Sequence, residues 1–199
     1  MSEEKKMRKT IAYCALALVI SMLVSSCSKP VPKPYSYFRI DLPEHEYTVL
    51  DTAPLPFTLE RAKISNVTYN GVRGENNQWF DLVYERLNAR VYCNYSPVKA
   101  NLRQLSEDSR TLVYKHTVRA DAIIEQNFDN EEANTHAILY RITGNAASPL
   151  QFVVTDSTRH FLRGSVYFNN TPNADSIAPV ERFVEEDVTH LIETLKWKD

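Results

Sequence analysis

The chain has 199 residues, 43% of them hydrophobic and 24% charged, with a net charge of -2. That length suits one domain with a real core. The slightly acidic balance excludes a basic nucleic-acid module, whose footprint is a positive face, and leaves no basic patch to pull the body flat onto anionic lipid.

The first 26 residues read as a leader. Lys5, Lys6, Arg8 and Lys9 precede an apolar run from Ile11 to Val24, which is 14 residues long. A bilayer-spanning helix needs roughly 20, so the run is too short for a permanent span and fits a secretory signal. Its exit, Val24-Ser25-Ser26-Cys27, resembles the bacterial lipobox. That motif implies removal of residues 1–26, a diacylglyceryl group on the Cys27 thiol and an acyl group on the new amino terminus. No other cofactor and no metal are expected. An uncleaved anchor or a plain secreted chain is the competing reading. Residues 28–36 are rich in proline and form a tether; polyproline II at about 3.1 Å per residue stands the body roughly 20 Å off the bilayer. Of the three cysteines, Cys14 leaves with the leader and Cys27 carries lipid. Cys93 then has no partner for a disulfide and reads as a small buried hydrophobe.

The body, residues 37–199, begins with Tyr37 to Pro43, whose alternation predicts a short strand. Pro43, Pro54 and Pro56 predict a loop, then Phe57 to Glu60 a second strand. Val67 to Asn77 is polar, contains Gly71 and Gly74, and reads as an exposed loop. Trp79 to Glu85 and Leu87 to Tyr95 read as consecutive strands, with Ala89, Val91, Cys93 and Tyr95 on one face. From Pro97 to Val118 the period changes: Leu102, Leu105, Ser109, Leu112 and His116 mark an amphipathic helix. Four strands follow, Ala120 to Gln126, Thr135 to Ile142, Leu150 to Asp156 and His160 to Asn169, with links too short for anything but antiparallel neighbours. Ser176 to Trp197 is the last helix, with Ser176 as its N-cap, Pro179 in the first turn and a broad apolar stripe. The predicted fold is α+β: an antiparallel sheet of about six to seven strands with two long helices, one on each side or both on one face.

A search for chemistry finds no zinc-like Cys/His spacing, no His-Glu-x-x-His, no phosphate loop and no nucleophile elbow. Asp156-Ser157-Thr158-Arg159-His160 holds the residue types of a hydrolase triad. Triad members come from separate segments, whereas these five sit in one tight turn, where Asp, Ser and Thr serve the backbone. The chain is therefore not read as an enzyme. Asp41, Glu44 and Glu46 read as a solvated edge, and His116 as a half-buried helix residue that could approach His160. Two polar stretches exceed what a core needs. They make Asp108, Arg110, His116, Arg119, Asp121, Asn145, Asp156, Arg159, His160 and Arg163 a candidate partner-binding surface.

Taken together, several segments resemble the GldD family of gliding-motility lipoproteins of Bacteroidota. They are Tyr37-Phe38-Arg39-Ile40-Asp41-Leu42-Pro43, Glu107-Asp108-Ser109-Arg110, Lys115-His116-Thr117, Ala120-Asp121-Ala122, Gly144-Asn145-Ala146-Ala147-Ser148, Thr155 through Gly164, and Glu193-Thr194-Leu195-Lys196-Trp197. The resemblance implies a cell-envelope lipoprotein required for gliding. It also implies a role in building or stabilising the associated type IX secretion machinery, with other envelope proteins, fellow lipoproteins among them, as partners. It brings no catalytic or ligand residue. The order of elements also looks like the PsbP/Mog1 sandwich. Ser28 and Lys29 follow the cysteine without an acidic run, which favours the periplasmic side of the outer membrane over the inner membrane. An envelope carrier with a small ligand or lipid in a sheet–helix pocket is the alternative.

Overall fold

The computed structural model describes residues 40–52, 55–73, 77–115, 120–169 and 174–198, together with 4, 6–8 and 13. The apolar leader run apart from Tyr13, Cys27, the tether and the Tyr37–Arg39 part of the first predicted strand lie outside the described residues, as do His116 and Arg119.

From Ile40 onward the described residues form one compact unit. Ten strands enter two antiparallel sheets. The larger has the order β3 (Asn66–Arg73), β4 (Asn77–Tyr84), β5 (Ala89–Pro97), β9 (His160–Phe168), β8 (Leu150–Thr155), β7 (Thr135–Gly144), β6 (Ala120–Asn130). The smaller joins β1 (Tyr47–Leu50), β2 (Phe57–Ala62) and β10 (Lys196–Trp197). The α-helices among the described residues from Ile40 onward are α1 (Leu102–Tyr114) and α2 (Ala174–Thr194).

The two helices cover opposite faces of the large sheet. Alternation along β7 shows this: Ala137 and Leu139 belong to the main core with α2, whereas Tyr140 and Ile142 pack with Val113 of α1. On the α2 face, Val180, Phe183, Val184, Val188, Leu191 and Ile192 share one core with Phe80, Leu82, Val91, Phe152, Leu162 and Val166, and Phe57 of β2 joins it with its ring 6.0 Å from that of Phe80. Cys93 is buried in this core, and burial pushes its thiol well up, which makes it inert. Space is tight there: a Cβ added at Gly164 would run into the Phe152 ring. On the other face α1 buries only Ser109 and Val113, and Leu112 and Tyr114 are exposed.

Four expectations are corrected. Residues 40–46 have no regular structure, and the first strand is Tyr47–Leu50, placed in sequence where a loop was expected. Stacked rings hold this stretch against α2, with centroid distances of 4.1 Å for His45 on Phe183 and 3.6 Å for Tyr47 on His190. His45 Nδ1 also lies 2.8 Å from the buried carboxyl of Asp187. The polar stretch from Asn66 is a strand, because an edge strand needs only one hydrogen-bonded neighbour and no buried face. Gly71, at φ 87, sits where its register with β4 shifts. Ser176 is not the N-cap of the last helix, which starts at Ala174 and holds Pro179 inside. That helix stops at Thr194, and Lys196 and Trp197 pair with Thr58 and Phe57 instead. The four predicted strands from Ala120 onward are neighbours in the order expected.

Candidate functional site

The turn joining β8 to β9 is built around one carboxylate. Asp156 Oδ1 accepts the backbone N–H groups of Thr158 at 3.0 Å, Arg159 at 2.7 Å and His160 at 2.8 Å. Its Oδ2 accepts the Thr158 hydroxyl at 3.0 Å. Burial alone would raise this carboxyl, but the N–H groups of Arg159, His160 and Thr158 outweigh burial and hold it down at about 2. The Thr155 hydroxyl donates to the His160 carbonyl at 2.6 Å and accepts the Ser157 N–H at 3.0 Å. Ser157 completes the bend with φ 65. Asp156 thus meets the backbone of His160 and not its ring, and Ser157 points to solvent. The residue types of a triad are present without its relay.

His160 is buried beneath the chain's last strand. Its Nδ1 lies 2.8 Å from the Tyr95 hydroxyl, and its ring stacks on Trp197 at 4.8 Å and 12°. Burial holds its imidazole below the usual range, against the pull of Asp156. Beside this stack runs a groove of about 450 Å³. One wall is the β6–β7 turn, with Asn130, Glu132, Ala133 and Asn134; the other carries Asp156, Arg159, Lys196 and Trp197. The Arg159 side chain is 63% exposed, with Nε 3.8 Å from Asp156 Oδ2. The groove therefore has a rigid aromatic floor and a rim of mixed charge.

The remaining predicted residues scatter. Asp108 is exposed on α1 and accepts Gln104 Nε2 at 2.8 Å. Arg110 lies over the Tyr114 ring, 5.4 Å from its centroid, with Glu125 of β6 at 3.9 Å. Asp121 and Asn145 are exposed near the ends of β6 and β7. Arg163 sits half-buried on the sheet face opposite α2 and donates to Gln151 Oε1 at 2.7 Å. The structure brings Asp156, Arg159 and His160 together in one turn and puts Asp108, Arg110, Asp121, Asn145 and Arg163 on other elements. Asp156 and His160 are buried, Asp156 at the groove wall as the acceptor that shapes the turn and His160 beneath the Trp197 ring. Lys196 and Trp197 were missed as site residues. Their signal was the alternation Leu195-Lys196-Trp197-Lys198, a strand period hidden at the end of a helical stripe.

The profile of the gliding motility lipoprotein GldD family matches residues 27–197. The chain belongs to that family. Membership ties it to gliding motility and, the family being one of lipoproteins, to the cell envelope. Among the described residues no helix is long and apolar enough to cross a membrane, and no three His, Cys, Asp or Glu side chains gather as a metal site. No curated protein matches the chain. Among solved structures it is similar to the solution structure of cyanobacterial PsbP (CyanoP) from Synechocystis sp. PCC 6803, at 11% identity and a TM-score of 0.45, over 80% of this chain and 97% of that one.

Proposed function

We propose that this GldD-family chain is a lipid-anchored, non-catalytic component that assembles or stabilises the gliding and type IX secretion machinery. It docks through the groove beside the β8–β9 turn. The observation that carries this reading is the use made of the turn. Its Asp, Ser and His hold backbone and floor, and what reaches the rim is Arg159 and Lys196 beside Glu132. Such a rim suits recognition of a polar surface, where charge sets register and partner choice. The partners are other envelope proteins of the same machinery, fellow lipoproteins first. The lipid sits on Cys27, a position supported by the lipobox and by a family match that begins at residue 27. Several acyl chains hold far better than one, since each buried CH₂ adds about 0.8 kcal/mol. The body then works on the periplasmic side of the outer membrane.

Two variants test the two halves. Cys27→Ser should shift the protein out of the membrane fraction and stop gliding; a variant that stays membrane-bound and glides removes the anchor. Arg159→Gln with Lys196→Gln should leave protein level and melting temperature nearly unchanged while abolishing both crosslinks to partners and colony spreading. Normal spreading at normal protein level would rule out the groove as the docking surface.

A further inference from the structure

Away from that groove, on the α1-facing side of the large sheet, three polar side chains meet around a cation. Arg163 of β9 stands opposite Asn94 of β5, and Ser165 of β9 stands opposite Gln151 of β8. Alternation puts all four on one face. Gln151 and Ser165 are 1% and 4% exposed. Gln151 Nε2, Asn94 Nδ2 and Ser165 Oγ are buried without a hydrogen-bond partner among the described residues. The Gln151 amide orientation is fixed chemically: its Oε1 must face Arg163, which can only donate, so its free end is an N–H₂. Asn94 is set likewise, its Oδ1 accepting the Ser96 hydroxyl at 3.1 Å.

The cation is under-compensated. Arg163 offers five N–H donors and has one neutral acceptor, with no carboxylate in ion-pair reach among the described residues. Asp81, the buried acid on the same face, is committed to Arg90 at 3.1 Å. Burial holds the Arg163 guanidinium below its usual range, while Tyr167 acts the other way. A buried water could fill an unpaired N–H, but it brings no charge to a desolvated guanidinium. An oxyanion supplies both acceptors and charge, and Arg with amide donors is the set that recognises one. The approach is open: Tyr92 lies opposite Ser165 and is 41% exposed, and it meets Tyr167 edge-on at 5.5 Å to form a rim.

We infer that Arg163, with Asn94, Gln151 and Ser165, forms a binding site for an oxyanion, a carboxylate or a phosphate group, entered past Tyr92 and Tyr167. The full-length chain in detergent tests this with sodium phosphate, sodium acetate and sodium chloride at matched ionic strength. At tenfold its dissociation constant, a ligand of the folded state should raise the melting temperature by roughly 3 °C. We expect that rise with phosphate or acetate and not with chloride. The Arg163 Nε–H resonance should shift in the same titration. Arg163→Gln should abolish the rise and Ser165→Ala should reduce it several-fold. A rise with acetate alone assigns the site to carboxylates, and one with phosphate alone to phosphate groups. Equal melting temperatures in all three salts with an unmoved Arg163 resonance would overturn the site and leave ordered water only. So would an unchanged rise in Arg163→Gln. Should that variant fail to fold, Ser165→Ala and the wild-type resonance decide.

Discussion

The two faces of the large sheet are built by different rules. Beneath α2 the contacts are apolar and close, from Val180 to Ile192 on the helix and from Phe80 to Val166 on the strands. Beneath and beside α1 the sheet carries Arg90, Asp81, Tyr92, Asn94, Gln151, Arg163 and Ser165, and the helix contributes Val113 with little else. One face supplies stability through apolar area removed from water. The other holds polar groups in fixed positions at a cost in desolvation. The apolar face accounts for most of the stability, and the polar groups on the α1 side are held in place by the register of β5, β8 and β9.

The contrast can be broken by mutation. The largest effect is expected for Leu191→Ala, which empties a buried position on α2 and should cost about 2–5 kcal/mol in denaturant unfolding. Gly164→Ala forces a methyl group into the Phe152 ring and should cost about 1–3 kcal/mol. Phe152→Leu should recover part of that loss in a double-mutant cycle, and strict additivity would show that the two positions do not compete for space.

Two buried aspartates sharpen the comparison through pH. The Asp156 carboxyl is held at about 2, below its unfolded value near 4. Its contribution, roughly 1–2 kcal/mol, is complete above pH 4 and is lost as pH falls toward 2. Asp187 behaves oppositely. Burial, opposed by His45, raises its carboxyl above the usual range. Its folded form therefore favours the proton, and stability from this group declines as pH rises past the unfolded value. Acid titrations of Asp156→Asn and Asp187→Asn, compared with wild type by melting temperature, should deviate in opposite directions. The smallest effect belongs to α1: Arg103→Ala removes an exposed i,i+4 pair with Glu107 and should change stability by no more than about 0.5 kcal/mol.

The regular parts of the fold were legible where a single face is buried. Ala89, Val91, Cys93 and Tyr95 alternate because one side of β5 meets the core, and the α2 stripe is broad because the helix packs against both β2 and the large sheet. Strand β3 was not legible, since an exposed edge leaves no hydrophobic period to read. Tyr47 to Leu50 was hidden for a related reason: its place depends on α2 residues more than 130 positions away, such as Asp187 and His190. The Asp156 turn was read correctly from residue type. Its burial under Trp197 was not, because sheet pairing at the chain end is a long-range event. Nothing in the pattern of β5, β8 and β9 announced that Asn94, Gln151 and Ser165 would gather around Arg163; only register does that.

The pairing of β10 with β2 has a consequence for how the front of the body frays. Trp197 closes against Phe57, and the Lys198 N–H reaches the Pro56 carbonyl at 2.9 Å. Strand β2 is thus gripped on both edges, by β1 and by β10. Fraying of either outer strand bares the Phe57 and Leu59 side of the core to water, so two segments far apart in sequence guard one seam.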